Sequence, residues 1–370
     1  MRALEIHRYG GAAEALQINT DAEVPAVSAD QILIAVKAVS VNPVDCAIRR
    51  GYGREVFRTK GEAGDTGFPM RLGRDAAGVV TAVGSQVENF LPGDSVWTAP
   101  TVPTAADCIV VTASEAALMP QGVSFVQAAS LPFVAMTVWN ALVSQAGLSP
   151  WSFSGKRVLI TRGAGGVGSF AIQLVKTWGA YVAGICSARN VDFVKGLGAD
   201  LVVDYTQQAA AAELRDFDLV LDSSFDKEKQ LLDALKVNAG ATYVTITSPK
   251  VRLADEFGLE VGFQKADLLL ASRRAEQASL GRHYHWGFMR PSGNALGEVA
   301  RLVESGQLKP LVDRIYPLEG IADAHEYCES GIFQTSPVWA RRLLQRFETI
   351  QNDERPLFLR IPYQPFQIDW

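Results

Sequence analysis

The sequence predicts an α/β protein in which a doubly wound parallel sheet accompanies a separate β-rich domain. Three observations carry this prediction. Short strands separated by glycine and proline fill residues 1–125, strands alternate with helices from residue 126 onward, and a glycine-rich turn joins the first strand of the second region to its helix. The length of 370 residues accommodates two such domains.

The segment Lys156–Gly168 contains the glycine-rich turn and reads KRVLITRGAGGVG. Val158–Ile160 is a short apolar strand, the glycines have GxGxxG spacing, and Ser169–Trp178 has near-helical apolar periodicity. In this context the motif is a Rossmann dinucleotide-binding fingerprint, because a backbone without Cβ atoms lets a pyrophosphate approach the helix N-terminus. The alternative is a purely structural turn. We expect the phosphates to be held by Gly163, Ala164, Gly165, Gly166 and Val167.

The β-rich region is punctuated by loops, and a change of pattern marks its end. β-Branched and alternating residues predict strands at Gln31–Val41, Ala76–Val83 and Asp107–Val111. The polar segment Gly51–Gly67 is interpreted as a mobile loop. From Phe125 a helical segment runs to Gly147, and Pro132 is expected to divide it into two helices.

The strands and helices of the parallel sheet then follow in alternation. After the fingerprint, strands are expected at Ala180–Ile185, Leu201–Val203, Leu219–Leu221, Thr242–Thr247 and, as a sixth strand, His283–Met289. Helices are expected at Val191–Leu197 and Ala295–Ser305.

Composition and charge exclude several classes of function. The net charge of −5 gives no support for nucleic-acid or membrane-surface binding, and no apolar run approaches the roughly 20 residues that span a bilayer. Met1 leads directly into a strand-like segment, so we expect no targeting peptide and a cytoplasmic location. The cysteines are too widely separated for a disulfide framework or structural zinc: Cys46, Cys108, Cys186 and Cys328.

The end of the second strand of the sheet indicates which dinucleotide binds. An NAD-preferring Rossmann site has an acidic residue there, but Gly184–Arg189 contains none. Ser187 can donate a hydrogen bond to a 2′-phosphate, and Arg189 can neutralise its charge. We therefore predict NADPH as the cofactor. The alternative for Arg189 is a solvated residue at a helix start.

Five segments together resemble the medium-chain dehydrogenase/reductase superfamily in its zinc-free quinone-oxidoreductase branch, over about residues 1–333. They are the glycine turn, VNPVD (Val41–Asp45), LGRDAAGVV (Leu72–Val80), PGDSVW (Pro92–Trp97) and AASLPFVAMTVWNAL (Ala128–Leu142). Within that branch, FPMRLGRDAAGVV, GATYVTITSP and HYHWGFMRPSG resemble the mitochondrial reticulon-interacting oxidoreductase group.

The resemblance implies a domain organisation and an activity. A GroES-like catalytic domain is expected at residues 1–125, an NADPH-binding Rossmann domain at 126–290, and a return to the catalytic domain with an atypical tail at 291–370. The protein is expected to be a homodimer that transfers hydride from NADPH to a quinone or an α,β-unsaturated carbonyl.

The resemblance also implies where the site residues lie. Candidate catalytic residues are Asn42, for a substrate oxygen or the nicotinamide ribose, Tyr52, as proton donor, and Arg74, which favours developing enolate charge. A structural role is the alternative for each, since Arg74, for example, can pair with Asp45 or Asp75. In the resembled group the positions of Ser187 and Tyr205 bind the 2′-phosphate. Besides these, the glycine turn and Arg189, the cofactor is expected to contact Thr137, Ile246, Gly287 and Met289.

Zinc-dependent members of the superfamily carry a cysteine at the position of Asn42 and a histidine at the position of Arg74. An amide and a guanidinium do not ligate zinc as a thiolate and an imidazole do. His283 and His285 share a face of the sixth strand, but we interpret them as a partly exposed pair. We therefore expect a metal-free site.

Two segments depart from the family pattern. The family has DxVGG after the fourth strand, whereas Asp222 is followed here by Ser223 and Ser224, which calls the adjoining cofactor contact into question. The family also closes with a GK-V-V strand, which this chain lacks from about Gln334 onward. Our hypothesis is a frameshift near residue 334 that replaces the last strand with an unrelated tail and reduces activity.

Three functions stay open at this point. The first is a quinone or enone reductase, and the second is a 2-enoyl-thioester reductase. The third is a non-catalytic NADPH-binding protein that acts through partners. The second function needs a basic entrance for a coenzyme A arm, with candidates Arg49, Arg50, Arg54, Arg58 and Lys60.

Overall fold

The computed structural model describes residues 1–59, 67–207, 214–224, 226–331 and 336–340. The strands in these residues are β1 Ala3–Ile6, β2 Leu16–Asn19, β3 Gln31–Ser40, β4 Met70–Arg71, β5 Ala76–Val83, β6 Ser95–Thr98, β7 Cys108–Thr112, β8 Ala116–Leu118, β9 Arg157–Ile160, β10 Tyr181–Cys186, β11 Leu201–Asp204, β12 Leu219–Asp222, β13 Ala241–Thr245, β14 Arg282–Trp286, β15 Val312–Tyr316 and β16 Ser336–Ala340. The helices are α1 Ala12–Ala15, α2 Pro43–Arg49, α3 Arg54–Thr59, α4 Phe125–Ala129, α5 Pro132–Trp139, α6 Gly166–Thr177, α7 Val191–Gly196, α8 Glu228–Asp233, α9 Lys250–Phe257, α10 Leu259–Ser279, α11 Gly293–Glu304 and α12 Ile321–Glu329.

The second half of the chain forms the predicted doubly wound sheet. Its strand order is β11-β10-β9-β12-β13-β14, and every neighbouring pair is parallel. β9 and β12 lie in the centre and are almost wholly buried, as expected where helices cover both faces. Pro132 divides α4 from α5 as predicted, and a π-helical segment, Asn140–Gln145, extends α5.

The first half forms the β-rich domain together with strands from the C-terminal region. Among the described residues, β15, β16, β3, β5, β6 and β8 follow one another in a mixed sheet, and β7 also pairs with β3. A second sheet has the order β2-β1-β4. The boundaries at residues 125 and 290 stay predictions.

The replacement of the last strand by an unrelated tail is wrong for residues 336–340. This segment is β16, which pairs in parallel with β15 and antiparallel with β3. Val338 and Trp339 are 0% and 2% exposed, so apolar side chains fill the closing position although the family motif is absent. Gln334 and residues 341–370 lie outside the described part of the chain.

Two other expectations fail for physical reasons. The segment Gly51–Gly67, interpreted as a loop, contains the helix α3, and residues 60–66 of it lie outside the described part. The paired helices α9 and α10 between β13 and β14 were not anticipated. α10 exposes several apolar residues, including Leu268 at 73%, and therefore lacks the one-sided periodicity that identifies a helix in a sequence.

One helical stretch in the described residues, Phe125–Gln145, is long and apolar enough to cross a membrane by length and composition. The statement that no apolar run approaches that length is therefore wrong. In the structure 72% of the apolar window is buried inside the protein, where α5 packs against α6. Its apolar character is therefore explained by its place in the core.

Candidate active site

The glycine turn lies between β9 and α6 and has the geometry of a phosphate cradle. Arg162 has a positive φ of 50°, and Gly163 donates its N–H to the Ile185 carbonyl at 2.7 Å. A Cβ on Gly168 would lie 2.2 Å from the Arg162 carbonyl oxygen, so only glycine lets α6 begin this close to the strand. The five residues predicted to hold phosphates, Gly163–Val167, all lie in this turn or the first turn of α6. The backbone therefore fits a dinucleotide.

The residues predicted to hold the 2′-phosphate follow the two strands beside the turn. Cys186 and Asp204 pair in register, which brings Ser187 and Tyr205 to the same edge of the sheet. Ser187 is half-buried and its hydroxyl accepts a hydrogen bond from Asn190 at 3.2 Å. Tyr205 is 68% exposed, so its ring is accessible at this edge.

Arg189 is exposed at the same edge but is already in contact with another part of the chain. Its guanidinium donates a hydrogen bond to the Gly331 carbonyl at 3.3 Å. A 2′-phosphate would therefore meet a guanidinium oriented by the segment that follows α12. The interpretation of Arg189 as a merely solvated side chain does not describe this contact.

Asp204 is an acidic residue of this edge that the sequence interpretation missed. Its carboxylate accepts hydrogen bonds from the Thr206 N–H at 3.0 Å and the Thr206 hydroxyl at 2.9 Å. These bonds, with further donors from Gln207 and the Ala188 backbone, hold its pKa below the usual value. The sequence interpretation considered only the end of the second strand of the sheet, β10, whereas Asp204 ends the third strand, β11.

The residues predicted to line the nicotinamide end also lie near one another. Ile246 follows β13 and donates its N–H to the Asp222 carbonyl at 3.0 Å. A Cβ on Gly287 would lie 3.2 Å from the Ile246 side chain and 2.9 Å from the Ala141 Cβ, so the backbone at Gly287 lies close against both side chains. Met289 packs against the same apolar core.

Thr137 is 7% exposed, and its hydroxyl donates to the Phe133 carbonyl of its own helix at 2.8 Å. Two side-chain amides that sequence reasoning missed hold the segment that follows β14. Asn140 donates to the Arg290 carbonyl at 2.8 Å, and Gln145 forms a pair of hydrogen bonds with the Phe288 backbone. Only the fold reveals this role, because the partners are about 145 residues apart in the sequence.

Asn42 lies in a buried polar cluster rather than on an open surface. It is 1% exposed and precedes α2, with its N–H donating to the Asp45 carboxylate at 2.9 Å. Its side-chain amide donates to the Ser40 hydroxyl at 3.0 Å, and that hydroxyl donates to the Asp75 carboxylate at 2.7 Å. These contacts give Asn42 a structural role, which was its alternative, and leave its side chain almost no exposed surface.

Asp75, one of the two carboxylates expected as alternative partners of Arg74, belongs to the same buried polar cluster as Asn42. It is fully buried, and burial, with the nearby charge of Asp45, raises its pKa to about 7. Hydrogen bonds from Ser40 and from the Phe133 N–H at 3.2 Å oppose the rise. Phe133 belongs to α5. Leu131, at the start of this helix, and Val134, within it, lie near Gly166, so α5 connects the acidic cluster to the glycine turn.

Arg74 pairs with Asp45, which was one of its structural alternatives. Its Nε lies 4.0 Å from the Asp45 carboxylate, and its guanidinium lies 5.1 Å from the centre of the Phe57 ring. The pair with Asp45 neutralises much of the charge that was expected to favour an enolate.

The donor set does not fit zinc. The amide of Asn42 and the guanidinium of Arg74 stand at the ligand positions, and both are engaged with carboxylates or hydroxyls. In the described part of the chain no three His, Cys, Asp or Glu side chains are grouped to hold a metal.

Tyr52 lies between two glycines with left-handed backbone, Gly51 (φ 101°) and Gly53 (φ 77°). It is partly buried, and burial raises the pKa of its phenol, with Asp255 adding to the rise and Arg252 opposing it. A phenol in this environment stays protonated at neutral pH and can donate a proton.

The basic entrance expected for a coenzyme A arm is not supported by the described residues. Arg49 is fully buried and lies 2.6 Å from Glu329, which also pairs with Arg50. Arg54 donates to the Asp255 carbonyl at 3.1 Å. The side chains of Arg58 and Lys60 lie outside the described part of the chain.

The departure from DxVGG produces a polar cluster at the end of β12. The Asp222 carboxylate accepts hydrogen bonds from Thr161 at 3.0 Å, Ser224 at 2.6 Å and Tyr243 at 2.7 Å. Ser223 donates its N–H to the Thr161 hydroxyl at 2.7 Å. The turn beside the glycine cradle is thus held by side-chain hydrogen bonds where the family uses glycine.

Comparison with known proteins identifies the class to which this fold and site belong. The alcohol dehydrogenase GroES-like domain matches residues 28–137, and the zinc-binding dehydrogenase family matches residues 197–332. The mitochondrial NAD(P)H oxidoreductase RTN4IP1 of Danio rerio is 37% identical over 347 residues, covering 90% of this chain and 89% of the relative. The chloroplast envelope quinone oxidoreductase homolog of Arabidopsis thaliana is 31% identical, with coverage of 88% and 93%. The quinone oxidoreductase structure from Coxiella burnetii is 29% identical with a TM-score of 0.75, covering 92% of this chain and 99% of that one.

The chain therefore belongs to the medium-chain dehydrogenase/reductase superfamily, as its motifs indicated. It is an NAD(P)H-dependent oxidoreductase, similar to the RTN4IP1 proteins and to quinone oxidoreductases. The fold expected from the resemblance, a Rossmann sheet joined to a GroES-like domain, is confirmed.

The expectation of a cytoplasmic location is wrong. The relatives from Danio rerio and Homo sapiens, 37% and 36% identical to this chain, are both named mitochondrial. The expectation rested on the strand-like segment after Met1, which is β1. A strand at that position does not indicate a compartment.

Proposed function

We propose that the protein is a metal-free, NADPH-dependent reductase of quinones or α,β-unsaturated carbonyl compounds. The observation that carries the proposal is the glycine cradle at the carboxyl edge of the parallel sheet, with Ser187 and Tyr205 at one end and Ile246 and Gly287 at the other. The names of the Arabidopsis and Coxiella proteins support a quinone as the acceptor.

NADPH, when bound, supplies the hydride. Ser187, Arg189 and Tyr205 would hold its 2′-phosphate, and Thr137, Ile246, Gly287 and Met289 would contact its nicotinamide end. Tyr52 holds a proton on its phenol oxygen for the reduced product. Asp45, which contacts Arg74 and accepts the Asn42 N–H, holds these two residues near each other.

The activity is tested by following the near-ultraviolet absorbance of NADPH with a quinone, an enone and crotonyl-CoA, and by repeating each assay with NADH. We expect turnover of the quinone or the enone, a preference for NADPH, and no loss of activity after treatment with a chelator. Turnover of crotonyl-CoA alone indicates an enoyl-thioester reductase. Cofactor binding without turnover of any of the three indicates a non-catalytic protein, and metal-dependent turnover contradicts the absence of zinc chemistry. The homodimer stays a prediction, which sedimentation of the purified protein tests.

A further inference from the structure

The segment that follows Tyr52 is held by one carboxylate of a distant helix, α9. Asp255 lies on α9, which follows the fifth strand of the nucleotide-binding sheet, whereas Tyr52 follows α2 of the β-rich domain. The Asp255 carboxylate accepts hydrogen bonds from the Gly53 N–H at 2.6 Å and from the Glu55 N–H at 3.1 Å. Arg54 donates to the Asp255 carbonyl at 3.1 Å. Three consecutive residues after Tyr52 are thus bound to a single residue about 200 positions away.

Local contacts position Tyr52 only in part: its N–H donates to the Ala47 carbonyl at 2.9 Å, but the residue lies between two glycines. Gly51 and Gly53 both adopt left-handed backbone, which restricts the chain very little once it is released. The two backbone N–H groups that donate to the Asp255 carboxylate lie at the start of α3, where such groups have no partner within the helix. The carboxylate therefore caps α3 from another domain.

Side-chain packing adds to the hydrogen bonds between α3 and α9. A Cβ on Gly53 would lie 2.8 Å from the Phe57 ring and 3.5 Å from Val251 of α9. Phe57 in turn lies beside the guanidinium of Arg74. The start of α3 is therefore packed between Arg74 of the β-rich domain and α9.

The geometry points to Asp255 as a positioning residue that holds Tyr52 in the cleft and couples it to the nucleotide-binding domain. This inference rests on the proposed function, in which Tyr52 is the proton donor. The carboxylate has a second effect, since its negative charge adds to the rise of the Tyr52 pKa and keeps the phenol protonated.

The charged groups around this contact determine the expected pH dependence. Asp255 raises and Arg252 lowers the pKa of Tyr52, and both lie on α9. Tyr9, whose ring would be 3.4 Å from a Cβ on Gly51, is a second phenol near Asp255, with its pKa also raised by burial and by that charge. Arg54 and Glu55 act on Tyr9 in opposite directions. Loss of the Asp255 charge is therefore expected to lower the pKa of both phenols.

The inference is tested with Asp255→Ala and Asp255→Asn in the full chain, with Asp267→Asn as the matched control. Asp267 is an exposed carboxylate on α10 that pairs with Lys250 at 3.1 Å, and it takes no part in the hydrogen bonds described above for Gly53, Arg54 and Glu55. Two measurements are made on each variant. Hydrogen exchange reports the protection of the Gly53 and Glu55 amides, and steady-state kinetics with NADPH and a quinone reports kcat, KM and their pH dependence.

We expect Asp255→Ala to lose amide protection and to lower kcat by about ten- to a hundredfold with little change in KM for NADPH. Asp255→Asn still accepts a hydrogen bond but lacks the charge, so it should keep part of the protection while the alkaline limb of kcat moves to lower pH. In the Tyr52→Phe background, neither Asp255→Ala nor Asp255→Asn should lower kcat further.

Unchanged amide protection in Asp255→Ala, or an effect on kcat that persists in full in the Tyr52→Phe background, overturns the inference. An equal effect of Asp267→Asn overturns it as well. If Asp255→Ala does not fold, Asp255→Asn still decides the matter through its pH profile. A wild-type protein that turns over no quinone or enone refutes the proposed function, while the exchange data separately decide whether Asp255 holds the segment.

Discussion

At the scale of single residues, the clearest feature of the buried polar cluster around Asn42 is Asp75, an acid with a pKa of about 7. Its folded-state value lies above the unfolded value of 3.8, so the folded protein binds more protons between these limits. The contribution of Asp75 to stability therefore falls as pH rises from about 4 to 7, by at most about 1.4 kcal/mol per pH unit. We expect Asp75→Asn to remove this slope from the free energy of unfolding measured by urea titration. Thr104→Val, which removes a hydroxyl bonded to the Asp75 carbonyl at 2.7 Å, should keep the slope.

His325 has the opposite pH dependence. It is 1% exposed, its Nδ1 lies 3.4 Å from the Cys46 sulfur, and burial, assisted by Arg49, lowers its pKa to about 3. Between pH 6.5 and about 3, His325 is protonated in the unfolded chain but neutral in the folded protein. The stability of the folded protein therefore falls as the pH is lowered from 6.5 toward 3. We expect His325→Gln to reduce this loss by up to about 1.4 kcal/mol per pH unit. Parallel urea titrations of both proteins at several pH values check it, and identical slopes contradict it.

In the proposed site, Asp204 and Ser187 lie at the edge of the sheet where the 2′-phosphate is expected. The carboxylate at the end of β11 disfavours a 2′-phosphate, whereas the Ser187 hydroxyl can donate to one. We expect Asp204→Asn to raise the ratio of kcat/KM for NADPH over NADH about tenfold and Ser187→Ala to lower it. Thermal unfolding of both variants serves as the control, because a changed ratio in a destabilised protein has another explanation. Unchanged ratios in both variants place the phosphate elsewhere.

At the scale of elements, the glycine turn is fixed by one close approach. A Cβ on Gly168 would lie 2.2 Å from the Arg162 carbonyl oxygen, so Gly168→Ala must displace the start of α6. We expect a loss of about 1–3 kcal/mol in the free energy of unfolding and at least a tenfold weaker binding of NADPH by calorimetry. The matched control is Gly297→Ala within α11, where no atom lies within 4 Å and the substitution should stabilise by about 0.5–1 kcal/mol. Equal effects of the two substitutions contradict the role of the turn.

Elements could be predicted where local chemistry alone determines them. The apolar run of β9, the glycines after it and the break at Pro132 are each explained by a few neighbouring residues, and the structure confirms all three. α10 could not be predicted, since its exposed apolar residues hide the period of a helix. The family motif was also too narrow a guide to β16, where burial of Val338 and Trp339 suffices to form the strand.

At the scale of the whole molecule, the site is made by contacts between distant parts of the chain. Ser187 and Tyr205 could be assigned to one edge because parallel strands end together, which the alternation of elements already implies. The contacts of Asp255 with Gly53, of Phe133 with Asp75 and of Arg189 with Gly331 join partners 58 to 202 residues apart. Their formation depends on how the two domains pack, and no local pattern in the sequence encodes that packing.

The β-rich domain is closed by β16, which brings residues near the end of the described chain against β3. Trp339 pairs with Val39 on one side and with Tyr316 on the other, and its side chain is 2% exposed. We expect Trp339→Ala to cost about 3–5 kcal/mol in the free energy of unfolding, because it empties a large buried site in the middle of a sheet. Trp151→Ala is the matched control, since that tryptophan is 89% exposed and its loss should change stability by less than about 0.5 kcal/mol. If chemical denaturation shows similar losses for the two variants, β16 does not close the domain. A large loss for Trp339 alone, with weaker NADPH binding, shows instead that the closure of the β-rich domain supports the cleft.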